Sequence, residues 1–185
     1  FSKNRSGISI GEGGAMFLMT SEPSEIQVIG VGESSDGTSM TSPDPKGFGA
    51  EKALCKVLLK ANIKASDVCY INLHGTATLQ NDSMESKAVS NIFGSKILCS
   101  STKPITGHAL GASGAIEAGF CWLMLSKKYN KNYRALPQLW DGILGDDIAL
   151  NNFAKVGDHL PVKKKIKYVI SNSFAFGGSN TSLLL

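Results

Sequence analysis

Residues 109–125, ALGASGAIEAGFCWLML, make a run that is apolar nearly all round at helical spacing. Such a helix has to be buried. Small residues recur through it and its entry at four-residue steps, Gly107, Gly111, Ala115 and Gly119. They form a flat stripe that lets another backbone come close. Yet Lys103, His108 and Glu117 sit in or just before this segment. A buried carboxylate is costly unless it is paired or coordinates a cation, and Lys103, at the entry to the same segment, is a nearby candidate. The expectation is an interior helix whose Glu117 is paired, the alternative being that Glu117 reaches the surface at the helix edge.

Short apolar runs and helical patterns alternate along the rest of the chain. Strands are expected at Ile8–Ile10 with Ala15–Met19, at Ile26–Val31, Val68–Leu73, Ile97–Ser100, Ile148–Phe153 and Tyr168–Ile170. Helices are expected over Ala50–Lys60 and Asp82–Phe93, the latter opening on a capping box of Asp82 and Glu85 and stopping at Gly94. Residues 129–145 read as a long connection. Alternation of this kind predicts an α/β fold with a mixed, largely parallel sheet flanked by helices.

The 185 residues suffice for one domain with a sizeable core. The net charge of +4 is compatible with an acidic partner without requiring one. Lysines are scattered, apart from the run Lys163–Lys167, so nucleic acid is not an expected partner. No apolar run reaches the roughly 20 residues of a membrane span. Cys55, Cys69, Cys99 and Cys121 lie in apolar runs without metal-type spacing, and read as buried free thiols in a reducing cytoplasm. The opening has no Met and leads at once into apolar sequence, which reads as a piece of a longer protein.

Polar groups collect where strands are expected to end. HGTATLQND follows Val68–Leu73, STKPITGH follows Ile97–Ser100, and SNSFAFGGSN follows Tyr168–Ile170. Ligands of open α/β sheets bind outside the carboxyl ends of the strands. His74 and His108 both leave such ends. Thr76 and Thr78 offer hydroxyls at alternate positions, suited to an amide-rich tether. The turn Phe176–Gly177–Gly178 can present N–H groups to an oxyanion. These parts suit chemistry at a carbonyl in which an enolate or tetrahedral oxyanion needs donors. They do not suit a phosphate cradle: GEGGAM at 11–16 is a poor dinucleotide fingerprint.

NLHGTATLQNDSMES, CSSTKPITGHALGASGAIEAG and SNSFAFGGSNTSLLL together resemble the C-terminal half of the β-ketoacyl–acyl carrier protein synthases, the elongating condensing enzymes of thiolase-like fold. FSKNRSGISIGEGGAM resembles that family's junction into this half. The resemblance covers nearly all of residues 1–185 and implies a cytoplasmic acyltransferase that works as a homodimer. Acyl carrier protein would be its partner, and no cofactor would be needed beyond the carrier's pantetheine arm. It implies that His74 and His108 donate to the thioester carbonyl of malonyl-carrier protein, while Lys103 pairs with Glu117 and holds the network around His108. Phe176 would gate the acyl pocket and complete an oxyanion hole, and Thr76 and Thr78 would bind the pantetheine arm. Asn72, Glu117, Ser171 and Asn172 would form a structural sodium or potassium site.

Two departures matter. The family's nucleophile is a Cys at a sharp turn into a buried helix, and none of the four cysteines has that setting, so these residues alone should not condense anything. AFGG also replaces the family's Gly-Phe-Gly-Gly, and Ala77 stands where Gly or Ser is common. A non-catalytic, chain-length-type partner subunit and a small standalone binding domain are the alternative readings.

Overall fold

The computed structural model describes residues 1–161 and 167–185. Most of the lysine run at 163–167 therefore lies outside the described residues. Five strands form one mixed sheet: β1 Gly30–Ser35, β2 Val68–Asn72, β3 Cys99–Ser100, β4 Tyr168–Ala175 and β5 Ser179–Leu184. Their order is β1-β5-β4-β2-β3. The pairs β4–β2 and β2–β3 are parallel, while β1–β5 and β5–β4 are antiparallel. Parallel pairing thus holds only the half of the sheet around β2.

The helices are α1 Phe48–Ala61, α2 Leu79–Phe93, the single turn α3 Lys103–Thr106, and α4 Ser113–Leu125. Strand side chains alternate between two cores, as the pleat requires. Ile71 and Ile170 pack with Leu54, Val57 and Leu58 of α1 on one face. Tyr70 and Val169 pack with Cys121, Met124 and Leu125 of α4 on the other. All five residues of β2 are buried, which explains an apolar run broken only by Asn72 at its end. At Gly32 the backbone of α1 comes so close, at the Ala53 carbonyl, that any side-chain carbon would collide.

Several expected elements differ. Residues 8–19 form no strand; they run irregularly over the surface, with one isolated bridge, Ile10 to His108, and close contacts of Gly11 with Gly107 and of Phe17 with Gly119. Without a ladder partner among the described residues, apolar content alone does not make a strand there. The run Ile26–Val31 yields a strand only from Gly30 onward, and Ile148–Phe153 contributes one bridge, Phe153 to Cys99. β5 was not expected, because its Asn180 and Ser182 are polar yet buried. Cys55 is exposed on α1 rather than buried, while Cys69, Cys99 and Cys121 are buried free thiols. Among the described residues no helix is long and apolar enough to cross a membrane.

Candidate active site

The site gathers at the carboxyl ends of β2 and β3. His74 follows β2 by two residues, and the loop after β3 carries α3 and His108. The two imidazoles meet edge to face with ring centroids 5.3 Å apart, and Phe174 of β4 lies 6.0 Å from His74. His108 is fixed through its backbone: its N–H donates to the Ser9 carbonyl at 2.7 Å, and its carbonyl accepts from Gly11 N–H at 3.1 Å. This staple depends on two glycines. A side-chain carbon at Gly107, where φ is 71°, would lie 2.7 Å from the Gly11 backbone. Gly11 of the GEGGAM stretch therefore serves close backbone approach.

Lys103 and Glu117 form a buried ion pair, as expected. The Lys103 ammonium also donates to the His74 carbonyl at 2.6 Å and approaches His74 Nδ1 at 3.4 Å. Its network is thus built around His74, and among the described residues it makes no hydrogen bond to His108. His108 Nδ1 instead receives the Leu110 N–H at 3.1 Å and lies 2.9 Å from the Ser113 hydroxyl. An ammonium and an amide N–H are donors only, so both Nδ1 atoms must be the unprotonated nitrogens. Each ring then carries its proton on Nε2. Burial and the Lys103 charge hold His74 well below the usual histidine range, with His108 adding to the effect. Burial and then Lys103 lower His108 as well. Both imidazoles are neutral donors at neutral pH. Burial pushes the Glu117 carboxyl up, against the pull of Lys103.

Asp82 and Glu85 do not form the expected capping box. The N-cap of α2 is Thr78, whose hydroxyl accepts the Asn81 N–H at 3.2 Å. Glu85 is fully buried and grips the His74 loop, accepting His74 N–H and Gly75 N–H, each at 2.8 Å, and Asn172 Nδ2 at 3.2 Å. Ser182 in turn donates to Asn172 Oδ1 at 2.9 Å. A buried polar chain therefore runs from β5 through β4 and α2 to the backbone of His74. Burial raises the Glu85 carboxyl to about 7 against these donors. Asp82 accepts the Ala77 N–H at 3.1 Å and faces the Arg5 guanidinium at 3.8 Å. The signal for these roles was a carboxylate pair on the face of α2 that also carries buried Met84 and Ala88.

Thr76 and Thr78 lie with their hydroxyls 3.0 Å apart. Between them Ala77 has φ 63°, a left-handed conformation that costs a non-glycine residue roughly 1–2 kcal/mol. Ala77→Gly is expected to stabilise the chain by about 1 kcal/mol, the strain relief less the entropy of a freer unfolded chain. Chemical denaturation checks this; a loss of stability would show that the Ala77 methyl packs usefully.

The turn Phe176–Gly178 is the three-residue connection of the β4–β5 hairpin, with Gly177 at φ 79° and Gly178 at φ 76°. The Phe176 side chain is 73% exposed. The N–H groups of this turn are not all free: Gly177 N–H donates to the Met40 carbonyl at 2.7 Å. Asp36 ties the same loop down, its N–H on the Gly178 carbonyl at 2.8 Å and its Oδ1 accepting Asn180 Nδ2 at 2.7 Å. Ala175 is extended, at φ −125°, so glycine is not needed there and the torsional freedom sits at Gly177 and Gly178.

Of the four residues expected to hold a cation, Asn72 Oδ1 and Glu117 Oε2 are buried without a hydrogen-bond partner, and the buried Ser171 hydroxyl has only the Cys121 thiol beside it. Hard oxygens left unpaired in one region fit a sodium or potassium ion. The Asn172 side chain does not join them, since both its polar atoms are engaged by Glu85 and Ser182. Among the described residues no cluster of three His, Cys, Asp or Glu could hold a metal. None of the four cysteines lies at a turn into a helix, and burial pushes the Cys121 thiol up to about 12 and raises Cys99 as well.

Two neutral histidines at neighbouring strand ends, beside a buried Lys–Glu pair, form a site that can donate to a carbonyl oxygen. Residues 26–134 match the family model described as beta-ketoacyl synthase, C-terminal domain, and the chain belongs to that family. It is 38% identical over 162 residues to 3-oxoacyl-[acyl-carrier-protein] synthase 2 of Rhizobium meliloti (strain 1021), covering 86% of this chain and 36% of the relative. It is 33% identical to 3-oxoacyl-[acyl-carrier-protein] synthase 1 of Haemophilus influenzae, covering all of this chain and 44% of the relative. Among solved structures, the ketosynthase (ApeO) in complex with its chain length factor (ApeC) from Xenorhabdus doucetiae matches with TM-score 0.76 and 48% identity, over 89% of this chain and 40% of that one. The chain thus spans less than half the length of these relatives.

Proposed function

We propose that the chain is the C-terminal half of a β-ketoacyl–acyl carrier protein synthase, which joins an acyl thioester to malonyl-carrier protein with loss of CO2. The observation that supports this most is the pair of neutral imidazoles, each with Nδ1 occupied by a donor and Nε2–H left to donate. Two such donors side by side suit one thioester oxygen. As the bond to the carboxylate breaks, CO2 leaves and its bonding electrons pass into the enolate, whose oxygen the two Nε2–H groups hold. The enolate carbon then attacks the acyl carbonyl, forming the new C–C bond, and the thiolate that carried the acyl group departs. The thiol comes from the remainder of the protein, since no cysteine here is placed for the task.

In this reading Thr76 and Thr78 hold the pantetheine arm, the Phe176 N–H helps bind the acyl oxyanion, and its ring gates the acyl pocket. Asn72, Glu117 and Ser171 would hold a sodium or potassium ion, which would supply positive charge there. Acyl carrier protein is the partner, the complete enzyme is a cytoplasmic homodimer, and no further cofactor takes part. The surface is consistent with a missing half: Met16 and Leu18, 97% and 94% exposed, lie on an arm whose Phe17 contacts α4 at Gly119.

The match to a ketosynthase–chain length factor complex keeps the non-catalytic subunit as a second reading. The test is condensation by the complete protein with acyl- and malonyl-carrier protein. Product formation supports the enzyme. Malonyl binding without decarboxylation or product would make it the partner subunit.

A further inference from the structure

We infer that Ser113 is a positioning residue for His108, its hydroxyl donating to Nδ1 and tying the ring to the buried helix α4. The inference rests on the proposed role of His108 as a donor to the reacting oxygen.

Ser113 is the first residue of α4, and its side chain is buried. It does not cap the helix, because the N-cap is Ala112 and no side-chain cap bond is present. Among the described residues its hydroxyl makes one hydrogen bond, at 2.9 Å to His108 Nδ1. The direction of that bond is fixed by a third group. Leu110 N–H points at the same nitrogen from 3.1 Å, so the nitrogen has no proton to give. The hydroxyl therefore donates, and two donors share one lone pair.

The two donors are not equivalent. Leu110 lies in the connecting turn, with φ 51° and an exposed side chain, a strained place from which to aim an N–H. Ser113 stands on a 13-residue helix packed against β4. His74 needs no such help, being buried and held by Lys103. His108 is only partly buried, and a ring flip would carry Nε2–H away from the substrate. What the serine adds is a second, rigidly mounted anchor for a ring that must keep its proton on Nε2.

The test is imidazole nitrogen NMR on the full chain labelled at histidine, with decarboxylation measured in the complete enzyme. Ser113→Ala is expected to move the His108 Nδ1 resonance toward that of a nitrogen without hydrogen bonds. His159, distant from the site, serves as the unmoved control. Ser113→Thr should return the resonance. In the complete enzyme Ser113→Ala should lower kcat for decarboxylation about fivefold, the effect of one neutral hydrogen bond, with KM unchanged. An unmoved His108 resonance in Ser113→Ala overturns the inference, as does a shift that threonine fails to reverse. Intact decarboxylation in His108→Ala would instead overturn the proposed role of His108, and the nitrogen spectrum would still decide the Ser113 contact.

Discussion

His74→Ala and His108→Ala are each expected to slow malonyl decarboxylation by the complete enzyme about a hundred- to a thousandfold, the usual effect of losing one donor to a developing oxyanion. Acyl transfer to the enzyme thiol should suffer less if, as proposed, its oxyanion is held at the turn at Phe176. The two variants should not behave alike in stability. His74 is buried and its backbone is gripped by Glu85 and Lys103, so alanine leaves a cavity beside Phe174. His108 is partly exposed, and its loss removes mainly the contacts to Leu110 and Ser113. Rates of CO2 release and of acyl-enzyme formation, measured on each variant, separate the cases. Equal loss of both steps would mean that the substitution has disturbed the fold rather than the enolate site.

What could be read from sequence was what depends on local pattern. β2 declares itself because residues buried on both faces have to be apolar. α4 is apolar all round and yet not wholly buried, for Trp122 and Leu123 on it are 36% and 42% exposed. His74, His108, Lys103 and Glu117 stand out because they interrupt such sequence. β5 was illegible for the opposite reason: its inward positions Asn180 and Ser182 satisfy polar partners inside the fold, so no alternation shows. The hairpin turn Phe176–Gly178 was seen as a site and not as a connection, although two glycines between strand-length runs also signal a hairpin. Glu85 was misassigned because its spacing from Asp82 fits a helix cap. Only tertiary structure brings the His74 and Gly75 amides to its carboxylate. The partner of Lys103 was legible and its target was not, since a sequence does not say which of two histidines an ammonium will reach. The arm at 8–19 reads as strand because its residues would suit a sheet, and these residues supply no neighbouring strand to pair with it.

Lys103 and Glu117 offer the sharpest test of the buried network. Both side chains are almost wholly buried, at 5% and 3% exposure. Lys103→Met is expected to cost about 3–5 kcal/mol, because it removes the ammonium that pairs with the buried Glu117 carboxylate. Glu117→Gln should cost a similar amount by leaving the ammonium alone with the His74 carbonyl. The double variant removes both charges, so its loss should fall well short of the sum of the single losses. Its remaining deficit is the His74 carbonyl and Nδ1, which have lost the donor that Lys103 supplied. Activity should therefore not return with stability. With Nδ1 unoccupied, His74 is free to take the other tautomer and withdraw its Nε2–H from the enolate. Denaturant midpoints for the four proteins give the coupling, and decarboxylation rates show whether His74 keeps its tautomer. A stable but slow double variant is the expected result. Simple addition of the two single losses would show that the charges do not act as a pair. Restored decarboxylation in the double variant would show that Lys103 serves Glu117 alone and that His74 orients itself.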